Sequence, residues 1–250
     1  MLGAWLRMDS GYLASTRATP IPPAPSPTGT VRVNIVAASE TASWFTDVVT
    51  KITTAKNSLY PSTTLNITQT NNAAYAGADL TTANYSCVFI WSDGSYSNTA
   101  LGTALNNYVA AGGGLVICVF ACASVQLPTT FNYTNTPIVF AGNQTMASSS
   151  LGTYTSGDPL MLGVTTFNPG TSKYGAGGLT TQSGATVVAR YNDNNVLVAK
   201  KDIVTGGNTA RTVALNFFPP SSASRSDLWV ASTNGAELMC NAIIYAGRGV

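Results

Sequence analysis

Histidine is absent from all 250 residues. Its absence removes the commonest general base, the commonest metal ligand and the usual pH switch. No Ser-His-Asp or Cys-His-Glu arrangement can be assembled within the chain. Charge is scarce as well. Only 9% of residues are Asp, Glu, Lys or Arg, against about 25% in an average soluble domain. The net charge of +2 is spread over 12 Lys and Arg with no basic run, so no nucleic-acid footprint exists. No apolar stretch approaches the eighteen or so residues of a spanning helix. MLGAWLRM is too short for a secretory h-region and is interrupted by Asp9. Four cysteines are too few and too scattered for a zinc site: Cys87, Cys118, Cys122 and Cys240 form no C-x-x-C pair. Two of them fall in predicted buried strands, where a thiol behaves as a small hydrophobe, so all four are expected to be reduced.

Ser, Thr, Asn and Gly take the places that charges usually hold. Such a polar, nearly neutral surface suits secreted proteins, cell-surface layers and virus particles. Apolar residues still make up 45% of the chain, enough for a sizeable core. Asn-x-Ser/Thr triplets occur at Asn66, Asn84, Asn132 and Asn143. In a chain this rich in these residues they are weak evidence of glycosylation.

The chain divides at about residue 30. Residues 1–30 form an N-terminal arm. Its stem, TPIPPAPSPTGT (19–30), holds five prolines and reads as extended polyproline II. The arm is expected to dock on other protein chains. Residues 31–250 read as one domain. VRVNIVAAS (31–39) is a β-branched strand, and TASWFTDVVTKITTA (41–55) an amphipathic helix with Phe45, Val48, Val49 and Ile52 on one face. TLNITQT (64–70) and YSCVFIWS (85–92) are strands, 97–114 a helix stopped by glycines, and LVICVF (115–120) the next strand. This order predicts a mostly parallel sheet with crossover helices.

Residues 125–182 read as irregular. ATVVARY (185–191), NVLVAKKDIV (195–204) and TARTVALNFF (209–218) follow as strands, separated by NDN (192–194) and GGN (206–208). Those separators are hairpin turn residues. A calcium loop at NDN is the weaker reading, because one Asp is too little charge. A helix over 234–247 closes the domain. GAGG (175–178) lacks G-x-G-x-x-G spacing, so no nucleotide or flavin cofactor is expected.

Two blocks carry a family resemblance: WSDGSYSNTALGTALNNYVAAGGGLVICVFACAS (91–124) and TVALNFFPPSSASRSDLWVASTNGAELMCNAIIYA (212–246). They resemble class I glutamine amidotransferase-like, flavodoxin-like domains. The nearest look is to non-catalytic versions in large secreted or surface proteins. The resemblance implies a flavodoxin-like α/β fold with a hairpin-rich C-terminal half. In catalytic members a cysteine sits in a glycine-flanked turn after the strand equivalent to LVICVF, with a histidine and an acid from a late loop. Here Cys122 occupies that position without flanking glycine, and no histidine exists. Cys122 is therefore expected to be a vestige.

Ligands of open α/β sheets bind beyond the carboxyl ends of the strands. The residues expected there are Glu40, Asp93, Tyr96, Ser124, Arg225, Asp227 and Trp229. Carboxylates, a guanidinium and aromatic faces suit a glycan or a peptide. Each also has a plainer role as a turn or cap residue, and Arg225 and Asp227 could simply pair with each other. The reading favoured by composition is a non-enzymatic interaction protein of an extracellular assembly, a virus particle or surface layer. A carbohydrate- or peptide-binding module is the first alternative. A cryptic hydrolase using Cys122, or Glu40 with Asp93, is the second.

Overall fold

The computed structural model describes residues 29–122, 127–139, 144–146, 149–171, 173–175 and 180–248. The expected arm lies almost wholly outside them. An eight-stranded sheet forms the centre. β1 (Gly29–Ala37) leads into α1 (Ala42–Leu59) and β2 (Thr63–Asn71); β3 (Cys87–Ile90) leads into α2 (Ala100–Ala110) and β4 (Gly114–Cys118). The remaining strands are β5 (Gln144–Met146), β6 (Leu151–Tyr154), β7 (Lys173–Gly175), β8 (Thr186–Tyr191), β9 (Val196–Thr205) and β10 (Asn208–Leu215), followed by α3 (Gly235–Arg248).

The strand order is β2-β1-β3-β4-β10-β9-β8-β6, and β5 pairs with β7 in a separate ribbon. β2, β1, β3, β4 and β10 run parallel. β9, β8 and β6 continue the sheet antiparallel. The fold is therefore flavodoxin-like, with the order 2-1-3-4-5 completed by β10. The link from β4 to β10 carries five strands where a simple crossover would carry a helix.

The central strands are apolar because both faces are covered. β3 and β4 are buried at every residue. α1 presents Phe45, Val48, Ile52 and Ala55 to the core. It packs against α3, which also lies across β10, β4, β3 and β1. α2 covers the other face with the loop around residue 130. Gly102 permits that approach: a Cβ there would lie 2.5 Å from the Phe131 amide. α2 starts three residues later than the expected helix over 97–114. The Asn98 side chain accepts the Ala100 amide and holds the entry there.

Both predicted hairpin turns form. Gly206 (φ 56°) and Gly207 (φ 85°) supply the two positive φ angles of a two-residue turn between β9 and β10. At NDN, Asn194 has φ 68° and its amide donates to the Tyr191 carbonyl, while Asp193 accepts the Asn195 amide. The described residues within 125–182 hold more regular structure than their composition suggests. They hold β6, the β5–β7 ribbon and a 3-10 turn at Pro159–Met161 capped by Asp158. All four thiols are free and buried.

Candidate strand-end site

α1 follows β1 toward one face of the sheet, and α2 follows β3 toward the other. β1 and β3 are neighbours, so the crevice beyond their carboxyl ends is the switch point where such sheets bind ligands. Glu40 and Asp93 both lie there. Ser39 turns the chain out of β1 with φ 59°, and its hydroxyl accepts the Ala73 amide at 3.0 Å. Asn71, at the end of β2, grips the Glu40 backbone twice. It accepts the Glu40 amide at 2.6 Å and donates to the Glu40 carbonyl at 2.7 Å.

The Glu40 side chain turns inward, leaving the residue 8% exposed. Its Oε1 accepts the Asp93 amide at 2.5 Å. Burial pushes the carboxyl up to about 7; the Asp93 amide pulls the other way, and the Asp93 carboxylate adds to the rise. Asp93 itself is exposed. Tyr96 lies beneath, buried, with its hydroxyl donating to the Trp91 carbonyl at 2.9 Å. Burial and the Glu40 charge hold that phenol well above its ordinary range.

A second group gathers at the ends of β4 and β10. Arg225 donates from Nε to Asp227 Oδ1 at 2.6 Å and from Nη2 to Asp227 Oδ2 at 3.1 Å. Nη2 also reaches the Tyr174 hydroxyl at 2.8 Å. The guanidinium lies over the rings of Trp44 (5.1 Å) and Tyr174 (5.3 Å). Phe120 and Phe218 continue the cluster, their ring centres 5.6 Å apart. Asp47 ties α1 to this end of the sheet by accepting the Ser221 amide at 2.7 Å. The cluster is packed tightly: the cavity between Tyr174, Phe217, Phe218, Leu228 and Trp229 measures about 10 Å³.

The expected residues thus separate. Glu40, Asp93 and Tyr96 meet at the switch point. Arg225 and Asp227 pair with each other under two aromatic rings. Ser124 lies outside the described residues. Trp229 requires correction as a rim aromatic: it is 1% exposed, with its indole N–H donating to the Pro219 carbonyl at 2.7 Å. The turn after β10 folds back, so that Ser222 donates to the Trp229 carbonyl and the ring is carried into the core. Tyr96, 5% exposed, likewise offers no open face.

Cys122 is 0% exposed. Burial pushes its thiol up to about 12, the reverse of what activates a nucleophile. Trp44 and Tyr174 were not anticipated at this edge. Trp44 had a legible signal, since it falls one position off the buried stripe of α1. Tyr174 had none, as its short ribbon strand is polar. Among the described residues no group of three His, Cys, Asp or Glu could hold a metal ion, and no helix is long and apolar enough to cross a membrane.

No family model and no curated protein matches the chain. Solved structures do. A protein from Parabacteroides merdae ATCC 43184 described as ThuA-like superposes with a TM-score of 0.57 at 13% identity, over 88% of this chain and 91% of that one. A protein from Bacteroides uniformis ATCC 8492, also described as ThuA-like, gives 0.55 at 16% identity, over 91% and 95%. The likeness is one of fold.

Proposed function

We propose that this chain is a non-enzymatic interaction module, a degenerate amidotransferase-like domain working in an extracellular assembly such as a virus particle or surface layer. The observation that carries the reading is the sealed Cys122, with no exposed surface and its thiol pushed up to about 12. A chain without histidine offers it no base. The non-catalytic subgroup named by the sequence resemblance fits this environment. The low charge of the chain supports the extracellular setting, and the Pro-rich arm supports docking on other chains.

The test has two parts. In the native chain, thiol titration should find Cys122 unreactive, and denaturation should release all four thiols. A Cys122 that alkylates natively as fast as free cysteine defeats the non-catalytic reading. Deleting residues 1–28 should abolish association with partner chains. Unchanged assembly counts against the docking role.

A second reading has its own support. The exposed Asp93 beside Glu40, whose carboxyl burial pushes up to about 7, forms a polar edge at the switch point, suited to a sugar or a peptide. A glycan array compared with Asp93→Ala distinguishes it: specific binding lost on substitution favours the binding module. Turnover of any bound glycoside would instead favour hydrolysis by the Glu40–Asp93 pair.

A further inference from the structure

The sheet ends in two unlike strands. β6, at one end, has four residues and shifts register against β8 between Leu151 and Tyr154. Shortness and irregularity blunt an edge against further pairing. β2, at the other end, runs nine residues in unbroken register with β1. Among the described residues no strand lies on its outer side. It carries no proline and no bulge, and no charged residue occurs between Lys56 and Asp79. Among the described residues this edge lacks the defences of shortness, proline, bulge and charge. In a parallel pair every second residue turns both its N–H and C=O away from the neighbour, so about four residues of β2 offer theirs outward.

We propose that β2 is a homotypic docking edge. Two copies of the chain join β2 to β2, antiparallel, about a two-fold axis at Asn66, and the two sheets become one. The strand's own pattern identifies the second copy as the occupant. Thr64-Leu65-Asn66-Ile67-Thr68 reads the same by residue class in both directions, as an isologous contact requires. The axis sets Asn66 opposite its own copy, Leu65 opposite the second copy's Ile67, and Thr64 opposite the second copy's Thr68. Leu65 and Ile67 are half-buried against the core. Across the seam they close on each other as apolar cross-strand pairs. A strand without charge meets no repulsion from its copy. This inference does not depend on the functional reading above and would hold equally for an enzyme.

The test uses the full chain with Asn66→Cys. Directly opposed residues of an antiparallel pair lie about 4.5–5.5 Å apart at Cα, inside the range a disulfide spans. The four native thiols are buried and give little background. Mild oxidation should yield a covalent dimer. Thr64→Cys should yield none, because its copy lies about four residues further along, roughly 13 Å away. By sedimentation the wild type should be dimeric at roughly 50 µM. Asn66→Lys, which sets like charges face to face, should sediment as a monomer with its melting temperature little changed. A monomeric wild type at that concentration overturns the proposal. So does equal cross-linking through Thr64→Cys, and so does an Asn66→Lys dimer as tight as wild type.

Discussion

Replacing Glu40 by Gln tests the site's electrostatics directly. In the unfolded chain the carboxyl titrates at its ordinary 4.5, and in the fold at about 7. Between those values the folded protein keeps a proton that the unfolded chain has lost. Stability therefore falls as pH rises through this window, and is flat below 4.5 and above about 7 with respect to this group. The full difference corresponds to about 3 kcal/mol, reduced to roughly 2 kcal/mol because solvent around the exposed Asp93 beside it screens part of the effect. Glutamine keeps the acceptor oxygen for the Asp93 amide and never ionises. Glu40→Gln should thus match the wild type at about pH 4 and exceed it by roughly 2 kcal/mol at about pH 8.5. For a chain of this size that is a gain of about 4–8 °C in melting temperature. Urea unfolding at both pH values, followed by tryptophan fluorescence, measures it. A gain that is equal at both pH values refutes the burial argument. A loss of stability at the higher pH would mean that the charged form is the one the fold supports.

Trp229→Ala should cost about 3–5 kcal/mol in urea unfolding, the range for deleting a buried aromatic; a cost under about 1 kcal/mol would return this residue to the rim. Gly102→Ala should destabilise by about 1–3 kcal/mol through contact with the Phe131 backbone, whereas a gain, as at an open helical glycine, would show that the loop does not lie there. Arg225→Met keeps the stem but loses the Asp227 pair and both ring contacts, and should cost about 1–2 kcal/mol. That cost should shrink as salt is raised, and a salt-independent cost would assign it to packing alone.

Much of the architecture is legible in residue patterns. The stripe Phe45, Val48, Ile52 defines α1 and its buried face. The continuous apolar runs of β3 and β4 announce strands covered on both sides. Glu40 and Asp93 were identifiable as neighbours because each follows a parallel strand at the switch point. Their hydrogen bond was not, since it depends on Asn71 gripping the Glu40 backbone from another strand. β6 and the β5–β7 ribbon leave little trace in the sequence because they are three or four residues long, without an apolar run, and their partners are distant in sequence. Trp229 was misplaced for a related reason. Its position after β10 suggested a rim, but the chain reverses at Ser221–Ser222 and returns the ring to the interior.

The five strands lodged between β4 and β10 also bear on how the chain is made. β4 sits in the middle of the sheet, yet Leu115 takes its second strand partner from Thr212, roughly a hundred residues later, about 5–20 s of ribosomal synthesis. Through that interval β3 can shield one side of Gly114–Cys118, while the other stays open as a wholly apolar edge. α3, which finally covers it, emerges later still. A strand buried at every residue in the finished protein thus spends that interval of its synthesis with one edge unpaired.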